Sequence, residues 1–532
     1  MIRGKAATEG WQWPTGAGRP GRAFARLNAL CAALAMGLAA LVPTSADAKP
    51  DKALQDQLLA HIRILASDDF AGREPGTDGE TKTLRYIGKQ LFDMGLVSGT
   101  NDPSHPWYAP VKLVAREPAA STAQFMRRGR ALPLAQGEVL MLTSGRRALV
   151  QGAPFYFVGR GTVVPARVEL AGRVAVMLDA AGGLARGAGD PSYGVGAEAR
   201  QNALLAGGAA AVITVLDGGR TLAGVAQRRR RSGYALASEA LGGDMEGFLS
   251  AAGLDQLLAG TSDTLTAMER EADRADFVPR LLDVTASLEA TTRETTIHTH
   301  NIVGRIPGRH PETGAVLLLA HWDHFGTCGT PPAEHLICNG AVDNASGVAA
   351  MIEVARRLVH LATPLDRDVY VLATTGEEIG LLGAEAFAEN PPIPLENFVA
   401  AFNLDSVAIA PAGTAVGIVG RGMTPLDTGI VAVARETRRR VAESSAPNQY
   451  IQRQDGWALM RHDMPAVMVT SAYGEIDRLE KYFDTDYHRP LDVVKPGLEL
   501  GGAAEDVAFH VALVQYFADP RRYGVPVRTT GR

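Results

Sequence analysis

A chain of 532 residues, 46% apolar and 21% charged, has length for two or three domains and enough apolar content to give each a core. Its formal net charge of −5 excludes a protein that holds nucleic acid through a basic surface. The basic runs Arg228 to Arg231 and Arg438 to Arg440 are short and read as solvated faces.

At the amino-terminal end, Arg19, Arg22 and Arg26 precede an apolar run from Leu27 to Val42, followed by Pro43 and Ala46-Asp47-Ala48. Basic, apolar and small-residue regions in that order predict a secretory signal over residues 1–48. The run is short for a membrane span of ~20 residues. The expected mature protein is therefore secreted or periplasmic, with no stable membrane insertion. Removing residues 1–48 takes out five basic and two acidic residues and deepens the net charge to about −8. Two cysteines then remain, Cys328 and Cys338, flanking a Pro-Pro loop; in an oxidising compartment they are a disulfide candidate, with a pair of free thiols as the alternative.

Apolar residues at helical spacing predict helices over Asp51 to Leu65 and Glu80 to Met94, separated by the glycine-rich loop DDFAGREPGTDGE. Residues 111 to 150 read as scattered short strands. A separate unit at 152–280 follows, in the order strand, strand, helix (Glu198 to Ala206), strand. It carries no clustered histidines, cysteines or paired carboxylates, which suits a lid or an interaction surface. From 296 to 520, strands and helices alternate, the pattern of an α/β fold with a mostly parallel central sheet flanked by helices on both faces. The predicted division is 1–48 signal, 49–151 first part of the main domain, 152–280 inserted β-rich α/β domain, 281–520 main domain and 521–532 tail.

The chemistry lies in the last large segment. The stretch AVLLLAHWDHFG, residues 315–326, is a buried-strand run that ends in His321 and Asp323. The next strand-end segments supply Asp343, Glu377 with Glu378, and Asp405, and DTDYHRPLD supplies His488. Ligands bind at the carboxyl edge of such sheets. Two histidines and several carboxylates on that edge suit a pair of divalent metals, and a set without thiolate favours zinc. Two ions roughly 3.5 to 4 Å apart need a shared ligand, which a carboxylate can be, and Asp343 is the candidate bridge. Asp323, two residues from His321, is placed to accept the spare ring N–H and hold the imidazole. Adjacent Glu377 and Glu378 cannot both reach one ion from a regular strand, so one is expected to bind metal and the other to act as general base.

AHWDH, GAVDNASG, TTGEEIGLLGAEAF, NLDSVA and YHRPLD, in this order, resemble the M28 family of zinc metallopeptidases. LASDDFAGREPGTDGE resembles the segment that opens many members, and FVGRGTV, LAGRVAVML and AAAVITV resemble a protease-associated (PA) domain inserted in some of them. The resemblance implies a zinc exopeptidase-like fold and two Zn2+ per chain. His321 and Asp405 would hold one ion, Glu378 and His488 the other, and Asp343 both, with Glu377 as general base and Asp323 orienting His321. His324 is not a ligand position in that family and reads as pocket wall or surface. The implied activity is an aminopeptidase acting on peptide substrates. Alternatives are a carboxypeptidase or dipeptidase of the same family, a single-zinc cyclase of amino-terminal glutamine, and an inactive receptor-like binding protein.

Overall fold

The computed structural model describes residues 51–179, 195–216, 220–226, 233–239 and 242–525. The expected signal segment, the basic run at 228–231 and the end of the tail lie outside the described residues. Among the described residues, no helix is long and apolar enough to cross a membrane.

Helix α1 (Lys52–Leu65) forms where Leu54, Leu58, Ile62 and Leu65 recur on one face, all of them buried, and Asp51 caps it by accepting the Leu54 N–H. A turn over 68–73 leads to α2 (Asp78–Asp93). Strand β1 (Tyr108–Arg127) comes next, then the strands of a smaller lobe: β2 (Val139–Thr143), β3 (Arg147–Phe157), β4 (Val174–Leu178), β5 (Ala211–Val215) after helix α3 (Val195–Ala206), β6 (Tyr234–Leu236) and β7 (Met245–Leu249). The 27-residue strand β8 (Arg280–Ile306) returns the chain to the larger lobe.

There, β9 (Ala315–His321), helix α4 (Gly347–Val359), β10 (Asp368–Thr374), helix α5 (Leu382–Glu389) and β11 (Phe398–Asn403) alternate. They are followed by β12 (Gly417–Val419), helix α6 (Asp455–Arg461), β13 (Ala466–Thr470) and the closing helix α7 (Gly501–Phe517). The sheet runs β12-β13-β11-β9-β10-β8-β3-β4-β5-β7-β2. The pairs β9/β10, β9/β11 and β11/β13 are parallel, and β12 and β8 flank them antiparallel. Every residue of β9, β10 and β11 is buried, as apolar strands covered on both faces require. This is the α/β architecture expected from the sequence.

One expectation is corrected. Residues 111 to 127 belong to one long strand, because β1 pairs with β8 continuously from Tyr108–Ile302 to Met126–Thr285 with one irregularity at Ala290/Thr292, and the expected short strands follow only at Arg130–Leu132 and Val139–Thr143. Residues 118–122 of β1 are exposed, so the period-two signal lapses in mid-strand while the ladder continues. The smaller lobe has its own core, drawn from Phe125 of β1, from β2 to β5, from β7, and from Leu282 to Ala290 of β8. The first half of β8 thus belongs to one lobe's core, and its second half pairs with β10 beside the carboxyl edge.

The turn after α1 carries a buried tie. The Arg73 guanidinium, 1% exposed, donates to the main-chain carbonyls of Leu65, Trp322, Asn339 and Gly340 at 2.5 to 3.0 Å. It joins the amino-terminal helices to the segments on either side of the loop from β9 to α4. Replacing it strands four carbonyls and removes the cation facing several carboxylates. We expect Arg73→Met to cost about 3–5 kcal/mol, the scale of losing one partner from a buried charge network. Urea unfolding should show a lower midpoint at unchanged slope; a midpoint equal to the wild type's would contradict this.

Candidate active site

The carboxyl ends of β9, β10 and β11 converge. His321 closes β9, and its Nε2 lies 3.2 Å from Asp343 Oδ1, 3.5 Å from Asp405 Oδ1 and 3.9 Å from Glu377 Oε2. His488 Nε2 lies 3.3 Å from Asp343 Oδ2 and 3.0 Å from Glu378 Oε2. Asp343 therefore turns one oxygen toward each imidazole. The five ligands expected from the sequence and the expected base come together from five separate segments of the chain.

Local sequence explains how each is presented. Gly340 adopts φ +56°, and a Cβ there would run into the Asp343 carbonyl, the His324 ring and the Arg73 guanidinium, so this turn needs glycine. The loop it opens is held by Asp492, which accepts the Val342 and Asp343 N–H groups at 2.9 and 3.0 Å and the Tyr482 hydroxyl at 3.0 Å. Ser406 and His488 sit at φ +52° and +57°, a left-handed conformation unusual for such residues and concentrated at functional sites.

Asp323 serves a wider purpose than holding His321. The oxygen nearest His321 Nδ1 is the Asp323 main-chain carbonyl at 3.2 Å, with carboxylate Oδ1 at 3.9 Å. The carboxylate accepts the main-chain N–H groups of Glu377 and Glu378 at 3.2 and 3.4 Å. It thereby fixes the turn that aims both glutamates.

His324 is neither surface nor bare pocket wall. It is 1% exposed, and its Nδ1 hydrogen-bonds Glu378 Oε1, leaving Oε2 of the same carboxylate to His488. Arg73, His324, Asp492 and Asp455, which accepts the Thr374 hydroxyl at the end of β10, are not among the site residues read from the sequence. Asp492 ends the YHRPLD motif and Arg73 stands inside LASDDFAGREPGTDGE, so both lay within recognised segments; Asp455 carried no signal at all.

Crowding sets the protonation states. Burial, opposed by His321, pushes the Asp323 carboxyl up to about 7. Burial also raises Asp455, to about 6, and raises Asp405. Glu377 is driven well above the usual carboxylate range by burial and by the charges of Glu378 and Asp405, with His321 opposing. Glu378 is also penalised by burial and by Asp343, but His488 and His324 outweigh both and leave it lowered. For His488, burial favours the neutral ring, yet Glu378 and Asp343 prevail and raise it to about 9.

The donor set fits divalent metal. His321 Nε2, His488 Nε2 and Asp343 Oδ2 are buried atoms without hydrogen-bond partners, and all three face into the cluster. Ligand atoms of His321, Glu377 and Asp405 lie within 4.8 Å of one another, as do those of His321, Asp343 and Glu378. Distance alone thus leaves both glutamates in reach of an ion. Imidazole and carboxylate donors without thiolate match zinc.

A cleft of about 670 Å³ opens beside this cluster. Glu378, His488 and Phe325 line one side, and Tyr234 and Leu236 of β6 with Glu239 line the other, so the smaller lobe supplies part of its wall. Cys328 and Cys338 form a disulfide, with Cα atoms 5.7 Å apart, and Cys328 Sγ lies 3.6 Å from the His488 carbonyl oxygen.

Residues 301–508 match peptidase family M28. The chain is 30% identical over 129 residues to the alkaline phosphatase isozyme conversion protein of Escherichia coli (strain K12), covering 22% of this chain and 36% of that one. It is 27% identical over 152 residues to aminopeptidase YwaD of Bacillus subtilis (strain 168), covering 28% and 30%. The chain thus spans about a third of the length of these two relatives. Among solved structures, the aminopeptidase from Aneurinibacillus sp. strain AM-1 shares the fold, with a TM-score of 0.52 and 19% identity over 87% of this chain and 93% of that one.

Metal uptake should be coupled to proton release. With His488 raised to about 9, its ring is protonated at pH 7 in the metal-free chain, and only the neutral ring can ligate. Zinc binding at pH 7 is expected to release at least one proton per chain and to tighten as pH rises toward 9. Calorimetric titration of chelator-stripped protein in buffers of different ionisation enthalpy counts those protons. Heats that do not depend on the buffer would contradict the assignment.

Proposed function

The chain carries a peptidase family M28 domain at residues 301–508, and from that premise we propose that the protein is a di-zinc exopeptidase, an aminopeptidase that removes amino-terminal residues from peptides. The observation that carries this reading is the Asp343 carboxylate, with one oxygen toward His321 and the other toward His488. A bridging carboxylate between two imidazoles is what a two-metal centre requires.

His321 and Asp405 would hold one ion, His488 and Glu378 the other, and Asp343 both. When bound, the ions would supply Lewis acidity at the scissile carbonyl and lower the pKa of water. Glu377 accepts the proton of the attacking water and delivers it to the leaving amine. A carboxyl already raised by its surroundings suits that exchange. Asp323 holds the Glu377 main chain in place through the hydrogen bond to its N–H. His324 keeps one Glu378 oxygen occupied, so that the other faces His488.

The smaller lobe, which resembles a PA domain, supplies Tyr234, Leu236 and Glu239 as one wall of the cleft. It narrows access to the ends of short peptides. The disulfide at 328–338 and the pattern of residues 1–48 support a secreted or periplasmic location.

Glu377→Gln should keep its zinc and lose on the order of 10²–10⁴-fold in kcat on an amino-acyl anilide, the range for removing a general base. Elemental analysis and initial rates on the same preparation test this, and a variant that keeps wild-type turnover would remove Glu377 from the role. Stripping the metal with a chelator should abolish activity and zinc should restore it. Efficient cutting of internal bonds in a folded protein would rule out the restricting role of the smaller lobe.

A further inference from the structure

Arg453 is a cation for which the reading above has no use. It ends the short helix Ala446–Arg453, and the next residue, Gln454, fixes it to the site wall. Gln454 Oε1 accepts the Asn403 side-chain N–H at 3.0 Å and the Gly456 N–H at 2.8 Å, and Asn403 lies two residues before Asp405. The segment 453–455 therefore packs against the end of β11, on the edge that carries the proposed metal ligands.

The guanidinium is held by aromatic faces. Its carbon lies 5.0 Å from the Phe483 ring centroid, 5.3 Å from that of Tyr487 and 5.8 Å from that of Tyr450. Tyr487 in turn stacks on the proposed ligand His488, with centroids 3.6 Å apart and planes at 25°. The Tyr487 phenol and the Glu377 carboxyl both act on the charge of Arg453 and favour it.

No carboxylate among the described residues pairs with Arg453. Its neighbours elsewhere on the same lobe are differently placed: Arg439 is spent on Asp506 and Arg461 on Glu385. Arg453 is only partly buried, and rings hold it in a fixed pose. A guanidinium so arranged keeps N–H groups available for a planar, two-oxygen acceptor. Cation-π contacts cover its faces without neutralising it.

We propose that Arg453 is a specificity-determining residue that binds a carboxylate of the peptide substrate beside the catalytic centre. The assignment rests on the peptidase reading. Two parts of a peptide carry that group: an acidic side chain on the amino-terminal residue, or the carboxyl terminus of a dipeptide. Either would reach Arg453 in the same protonation state and with the same bidentate geometry.

Paired substrates separate the sources. Rates are measured on glutamyl against leucyl anilide, and on leucyl-glycine against leucyl-glycinamide, for wild type, Arg453→Gln and Arg453→Lys, with zinc content determined for each. Arg453→Gln is expected to lose on the order of 10- to 100-fold in kcat/KM, mainly through KM, on the carboxylate-bearing member of one pair, as for loss of a charged hydrogen bond. The neutral member should change less than about threefold, within the range of a lost uncharged contact. Loss confined to the first pair identifies the side chain, and loss confined to the second identifies the terminus. Equal loss on both members of both pairs overturns the proposal, because the guanidinium then serves the reaction itself or the fold. No loss on any substrate overturns it as well. Arg453→Lys keeps the charge without the fork and guards against misfolding of the Gln variant; unchanged selectivity in it counts against bidentate recognition. A wild type that binds zinc but cuts none of the four substrates defeats the peptidase reading, and this assignment with it.

Discussion

The constraint on which the rest of the structure depends is the burial of like charges. Asp323, Asp343, Asp405, Asp455 and Asp492 are each at most 5% exposed, and the Glu377 and Glu378 side chains are 11% and 3% exposed. Carboxylates in such surroundings must be neutralised or matched by cations. Within the chain, protons, the two imidazoles and Arg73 do this: Asp323, Asp455 and Glu377 are raised, and so are His321 and His488. Arg73 keeps its charge despite burial that lowers it to about 10, because Asp343, Asp492, Asp323 and Glu378 surround it. The same side chains whose joint burial is costly make a strong receptor for divalent cations.

That cost has to be met by the scaffold, which explains the arrangement of the fold around the site. Strands β9, β10 and β11 are wholly buried, so their ends are fixed to within the play of a packed core. Asp323 and Asp492 work on main-chain N–H groups, holding the turns that carry Glu377, Glu378 and Asp343. Strand β8 extends this rigidity outward, since one continuous strand lies in the core of the smaller lobe and in the ladder beside the site. The cleft wall formed by β6 is paired to β1, which is paired to β8. A lobe attached through ladders on this scale presents its wall in a set position, which suits selection by shape.

How much of this the sequence disclosed follows from how each residue acts. His321, Asp343, Glu377, Glu378, Asp405 and His488 stand at strand ends or in short motifs, where a polar residue after an apolar run is conspicuous, and the structure gathers all six. Arg73 acts through four carbonyls that are distant in sequence, and no spacing rule identifies such a tie. His324 was visible yet misjudged, because a histidine at a strand end gives no sign of which carboxylate it will meet. The β1/β8 ribbon was missed for a different reason: where a strand is exposed on both faces, the alternation that marks strands is gone although the ladder persists.

The pair Glu377 and Glu378 shows what only three-dimensional placement can decide. The two are identical side chains, adjacent in sequence, their main-chain N–H groups bound by one aspartate and both near enough to ligate. Their partners differ. Glu378 has His324 on one oxygen and His488 on the other, which holds it ionised below its ordinary range, the state of a ligand. Glu377 has His321 at 3.9 Å, but burial and the charges of Glu378, Asp405 and Asp455 drive it upward, the state of a group suited to take and return a proton. Their roles are divided by environment, and moving His324 from the Glu378 side would erase the difference on which that division depends.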